Sequence, residues 1–242
     1  MKKLLAIAIS AAALSAMAET VTGSNEIGTL AITSNMKQTV VAVPFRKLGA
    51  SVDTIAPSDL ILNTNLEAGD QLYVFGYYAN GKGSYKGWRL NGSGVWESVA
   101  NASIDQYGTP TCSSADNNTV VSVGSGFWLV RATEPSESFT FYVYGQYVDG
   151  VVSNIAAGKQ NLFANPLSVE ARPVISGTPE NGDQILIPQT GTIPLRYTYK
   201  SGSWMHRAKA EESLPAFQAG QGAWYVSKGS SNLTCTWTPA AN

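Results

Sequence analysis

Four short segments of this chain recur in the same order, and an ordered set of repeated landmarks limits the fold more than any single motif does. "KQTVVAVP" at Lys37–Pro44 returns as "KQNLFANP" at Lys159–Pro166, and "GDQL" at Gly69 returns as "GDQI" at Gly182. "GVW" ending at Trp96 returns as "GSW" ending at Trp204, and "GSGFWLVR" at Gly124–Arg131 as "GQGAWYVS" at Gly220–Ser227. The separation of the partners shrinks along the chain, from 122 to 113, 108 and 96 positions. Each drop marks residues that the first copy has and the second lacks, and insertions are expected in surface loops. Three longer loops are therefore predicted in the first copy, around "GASVDTIAPSDL", "YYANGKGSYKG" and "IDQYGTPTCSSADNN".

Between these loops the chain alternates with period two, as half-buried strands do. In "SFTFYVYG", Phe139, Phe141 and Val143 fall on one face and Thr140, Tyr142 and Tyr144 on the other. Each copy reads as about six strands, with at most one helical turn near "SDLIL", for which Ser58 is a suitable N-cap. The expected fold is all-β: two tandem β-sandwich or partly open barrel-like modules from an internal duplication. A single pseudo-symmetric sandwich built from both halves is the alternative. In the last landmark Trp128 and Val130 return as Trp224 and Val226, while Phe127 and Leu129 become Ala223 and Tyr225; the repeated face is read as the core face. The glycines before it, Gly124, Gly126, Gly220 and Gly222, fit a turn needing positive φ or close approach. A dinucleotide fingerprint is not met, since Leu129 and Tyr225 stand where its third glycine belongs and no helix pattern follows, so no cofactor is expected.

The first residues, "MKKLLAIAISAAALSAMAET", have the lysines, short apolar run and Ala-x-Ala site of a secretory signal cut after Ala18. The expected organisation is a signal peptide at 1–18, a first β module with longer loops at 19–148, and a shorter second module at 149–242. The apolar run is too short to span a bilayer, and no other segment reaches that length, so no membrane span is expected in the mature chain. Loss of Lys2 and Lys3 takes the formal charge from −1 to −3. That acidity argues against a nucleic-acid partner, which calls for a basic face. Cys112 and Cys235 are an even pair in an oxidising compartment and candidates for a disulfide. By alignment Cys235 replaces Phe139 in a buried position, whereas Cys112 lies in the longest insertion.

The succession "TVVAVPF", "GDQLYV", a Trp-containing strand, "GSGFWLVR" and "FYVYGQ" resembles modules of uncharacterised exported bacterial proteins. That resemblance implies an exported, duplicated all-β fold and brings no catalytic residues with it.

Little in the sequence points to catalysis. The lone histidine, His206, lacks a supporting motif, no serine sits in a nucleophile elbow, and "SADNN" has too few carboxylates for a calcium loop, so no metal site is expected. Asp70 and Asp183 recur, but each opens a strand in "Gly-Asp-Gln", the usual position of a turn aspartate. A secreted carbohydrate-active enzyme would draw its two carboxylates from Asp70, Glu97 and Glu211. The aromatic residues give a better lead. "GYYANGKGSYKGW" gathers Tyr77, Tyr78, Tyr85 and Trp88 around Lys82, and flat rings beside polar donors suit sugars. The plainer reading is a hairpin whose tyrosines cover neighbouring strands. The expected function is that of an exported, non-catalytic binding or cell-envelope structural protein, with a glycan or an envelope protein as its partner. An outer-membrane barrel fits poorly with core-facing tryptophans and the polar end "TPAAN".

Overall fold

The computed structural model describes residues 27–62, 65–77, 83–99, 112–114, 120–133, 135–148, 150–189, 193–206, 209–211 and 214–240. Over these residues the chain is all-β, in small and largely antiparallel sheets. The first half holds β1 (Ile27–Ser34), β2 (Gln38–Ala42), β3 (Phe45–Arg46), β4 (Thr54–Ile55), the helical turn α1 (Pro57–Leu60), β5 (Ile61–Leu62) and β6 (Gln71–Tyr77). It continues with β7 (Gly83–Leu90), β8 (Trp96–Ser98), β9 (Cys112–Ser114), β10 (Val121–Ser122), β11 (Gly126–Val130) and β12 (Phe139–Tyr147). The second half holds β13 (Ser153–Ile155), β14 (Gln160–Ala164), β15 (Ala171–Ser176), β16 (Gln184–Ile187) and β17 (Leu195–Lys200). It ends with β18 (Ser203–His206), β19 (Lys209–Glu211), β20 (Gly222–Val226) and β21 (Leu233–Pro239).

The larger sheet of the first half has the order β2-β11-β6-β7-β8, with β9 parallel to β7; that of the second half has β14-β20-β16-β17-β18-β19. The smaller sheets are β1-β12-β3, with β5 also on β12, the two-stranded β10-β4, and β13-β21-β15. Two buried clusters fill the halves, one around Phe127, Leu129, Phe141 and Leu72, the other around Phe163, Ile185, Phe217 and Tyr225. Each fully buried side chain of this size contributes about 1.5–3 kcal/mol. The alternation of β12 falls as expected, with Phe141 and Val143 fully buried against Ile32 and Leu30 of β1.

Three expectations are corrected. The first long insertion is not a surface loop: it supplies β4, α1 and β5, and puts Ile55, Leu60 and Ile61 into the core. Where β15 runs unbroken along β21, the first half has β3 and β5 on β12, separated by that insertion. The helical turn begins at Pro57 after Ala56, with no side-chain cap, so Ser58 is not its N-cap; proline at the first position presets φ instead. Finally, the face of β11 and β20 is inverted. Phe127, Leu129, Ala223 and Tyr225 are fully buried, while Trp128 and Trp224 are only half-buried and point to the other side of their sheets.

The repeated face is instead the face at which the halves meet. Val41 bridges Gln221, and Phe163 bridges Ser125. Val41 and Phe163 hold the same place in the first landmark, and Ser125 and Gln221 the same place in the last. The two bridges are one pairing with the halves exchanged. Ala42 N donates to Gly220 O at 3.1 Å, and Ser153 Oγ donates to Gly124 O. The glycines permit this closeness: a Cβ on Gly220 would lie 2.5 Å from Ile32 Cγ1, and one on Gly124 would lie 2.5 Å from Val152 O. Gly124 and Gly220 also have φ of 84° and 71°, the left-handed region that favours glycine.

Candidate functional site

The recurring aspartates are built into the frame. Asp70 and Asp183 are fully buried, each following a turn in which its N–H donates to the carbonyl three residues earlier, Glu67 or Glu180. In the first half Asp70 Oδ2 accepts Glu67 N at 2.9 Å and Oδ1 accepts Ala132 N at 2.8 Å. Arg131 Nε lies 2.9 Å from Asp70 Oδ2 as an ion pair, without the alignment of a hydrogen bond, and its guanidinium covers the Phe139 ring at 4.3 Å. In the second half Asp183 accepts Glu180 N at 3.1 Å, Lys228 N at 2.6 Å and the Tyr225 hydroxyl at 2.7 Å. Burial first, then the bond to Asp183, pushes the Tyr225 phenol well above its ordinary range.

Of the other carboxylates weighed for catalysis, Glu97 is exposed on β8 and accepts Asn91 Nδ2 at 2.6 Å. Glu211 pairs with Trp204 through the β18–β19 backbone, and its side chain lies outside the described residues. His206 stacks on Tyr197 at 5.0 Å, with Nδ1 3.2 Å from Arg196 O. Among the described residues no group of three or more His, Cys, Asp and Glu side chains could hold a metal.

Cys235 is a free thiol, so the bridge to Cys112 is not formed in this structure. The reason is position: Cys112 begins β9 beside Tyr85 in the first half, whereas Cys235 is sealed in the core of the second. Burial pushes its pKa up to about 12.

The aromatic segment forms the β6–β7 hairpin rather than a loop, and its residues part company. Tyr78 and Lys82 lie outside the described residues, as does the side chain of Tyr77. Trp88, 7% exposed, packs into the first core beside Leu72, its partner on β6. Its ring is therefore closed to a ligand, which corrects its placement among contact residues. Tyr85, three positions away, falls on the opposite face by parity. There it meets Phe75 at 5.0 Å, Tyr73 at 6.4 Å and, from the other half, Trp224 at 6.3 Å. Trp224 also meets Phe75 at 4.9 Å and Trp128 at 6.3 Å. Phe75, Tyr85, Trp128 and Trp224 are each half-buried, so this edge-to-face cluster keeps part of its surface open. Sequence reasoning missed Phe75 and the two tryptophans because it assigned the repeated tryptophans to the core. The available signal was the hairpin register, which sets Phe75 opposite Tyr85.

On the other flank of the Val40–Gly222 contact lies a groove of about 310 Å³. Its walls come from both halves, residues 32–36, 39 and 40 on one side and residues 188–189, 218–219 and 221–222 on the other.

No helix among the described residues is long and apolar enough to cross a membrane. Comparison of the chain with protein-family models, with curated proteins and with solved structures finds no significant match.

Proposed function

We propose that this is an exported, non-catalytic binding protein made of two β modules by internal duplication, and that it holds a glycan on the aromatic face at their joint. The duplication is supported by the matching strand orders of the halves and by the exchanged bridges Val41–Gln221 and Phe163–Ser125. Export rests on the signal-like residues 1–18 and places the mature chain in the periplasm, on the cell surface or outside the cell. The non-catalytic reading rests on Asp70 and Asp183, whose oxygens are engaged by backbone N–H groups, an arginine and a phenol.

The observation that carries the glycan reading is the set of four half-buried rings, Phe75, Tyr85, Trp128 and Trp224, contributed by both halves. Ring faces of this kind stack on the apolar faces of sugars. The test is a titration of the mature chain with polysaccharides and mucin-type glycans, read by tryptophan fluorescence. A saturable shift is expected, lost in Tyr85→Ala with an unchanged melting temperature. A flat response to every glycan would leave the rings as packing between modules and favour a structural role in the cell envelope.

A further inference from the structure

The groove between the halves has a chemistry of its own. Its floor is apolar, with Ile32, Val40 and Ala219, and its rim carries amides, among them Gln189, Gln218 and Gln221. No ionisable side chain is found among the described residues that line it. Both walls are fixed before any ligand arrives. Ser34 Oγ lies 2.7 Å from Thr39 Oγ1 and accepts Met36 N at 3.1 Å, which sets the β1–β2 turn. Gln221 Oε1 accepts Gln218 N at 2.9 Å, which sets the segment leading into β20. Gly220 lets that segment close on Ile32, where any side chain would collide. The hydroxyls of Ser34 and Thr39 are thus engaged, whereas the side chains of Gln189 and Gln218, at exposed positions on the rim, and the Nε2 of Gln221 are not taken up by these bonds.

We infer that this groove is a second binding site, for an uncharged polyhydroxylated ligand, a neutral sugar. A charged ligand would lose hydration without meeting a counter-charge. An extended peptide would need a free strand edge, and the end of β2 is already taken by Gly220 and Gln221 of the other half. A sugar hydroxyl both donates and accepts, as each side-chain amide does, and the apolar floor suits a pyranose face. The volume stands at the low end of the ~300–1,000 Å³ usual for small-molecule sites, room for one or two sugar rings rather than a long chain. Because both halves line the groove, the ligand would join them.

This inference shares the glycan chemistry of the proposed function but not its residues, so the two can fail separately. Isothermal titration of the full mature chain would use six-residue malto-, cello- and chito-oligosaccharides, with an oligouronate as the charged control. At least one neutral oligomer should bind saturably and the oligouronate should not. The double change Gln189→Ala with Gln218→Ala, both at exposed positions, should weaken that binding about tenfold, in keeping with the loss of two hydrogen bonds. Gln189→Ala alone, outside any strand, repeats the test should the double variant lose its wild-type melting temperature. Undiminished binding in these variants with loss in Tyr85→Ala would overturn the groove and keep the aromatic face. Preference for the oligouronate, or no neutral oligomer bound, would overturn the groove outright.

Discussion

The two halves bury an aspartate in the same place and neutralise it by different means. Asp70 faces Arg131, whose guanidinium is held between the carboxylate and the Phe139 ring. In the second half the position of Arg131 is taken by Ser227, that of Phe139 by Cys235 and that of Leu129 by Tyr225, which reaches Asp183 from within the core. Three differences that look unrelated along the chain are one exchange, of a charged partner on the strand end for a phenol inside. The common part is the clamp itself. In both halves the carboxylate accepts the N–H of the turn glutamate and an N–H just past the repeated strand, which ties the turn before β6 or β16 to the end of β11 or β20. A buried charge is tolerated when such bonds hold it, and the first half adds a second charge that must also be satisfied.

The sharpest way to break the comparison is to neutralise each aspartate. Asp70→Asn takes away the buried partner of Arg131, leaving it only the exposed Glu67 carboxylate at 3.5 Å, and is expected to cost about 3–5 kcal/mol, whereas Asp183→Asn loses only hydrogen-bond strength, about 1–3 kcal/mol. Urea unfolding of both variants measures the difference; equal losses would mean that the guanidinium is not what distinguishes the sites. A smaller effect separates the equivalent glycines at the joint. A Cβ on Gly222 would overlap Val40 and come within 2.9 Å of Ala164 Cβ, while one on Gly126 would sit 3.1 Å from Val40 Cγ1. Gly222→Ala should therefore destabilise by about 1–3 kcal/mol and Gly126→Ala by less, read from the same unfolding curves.

Through these exchanged positions alkaline pH should act on the second half. Tyr225 and Cys235 have folded pKa values above their unfolded ones, so their contribution is complete below the unfolded values. It declines as pH rises past about 9 for the thiol and about 10 for the phenol, by up to ~1.4 kcal/mol per pH unit for each group. Stability measured from pH 8 to 11 should fall less steeply in Cys235→Ala and in Tyr225→Phe than in the wild type; parallel slopes would show that neither anion is excluded by the fold. The mildest test needs no variant. A thiol reagent at pH 8 should leave Cys235 unmodified in the native protein and modify it in urea, as peptide mass mapping would show, and rapid native labelling would mean that the second core opens readily.

Much of this arrangement is legible in the chain. Alternation announced the all-β class and the buried face of β12, and the ordered landmarks located Asp70, Asp183 and the joint glycines. What misled was the choice of face. Period two says that Trp128 and Val130 point one way and Phe127 and Leu129 the other, but both sets are apolar, and repetition was taken as the mark of a core. The repeated side is the one that meets the other half, where Trp128 meets Trp224 and Val40 closes on Gly222. Trp88 misled for the opposite reason: tyrosines and glycines around it suggested a loop, while its pairing with Leu72 across the hairpin turned it inward. The insertion after β3 was read as surface, yet its Ile55, Leu60 and Ile61 had the apolar character of the core they enter.

The sequence by itself determined strands, turns and the turn aspartates, because period-two patterning, positive-φ glycines and Gly-Asp-Gln turns depend on residues a few positions apart. Tertiary structure alone decided which sheet face is covered, that Cys235 stays a free thiol, and that Phe75 and Tyr85 meet Trp224 from the other half. Those outcomes depend on how two distant stretches of chain pack, and a local pattern carries no record of its distant neighbour.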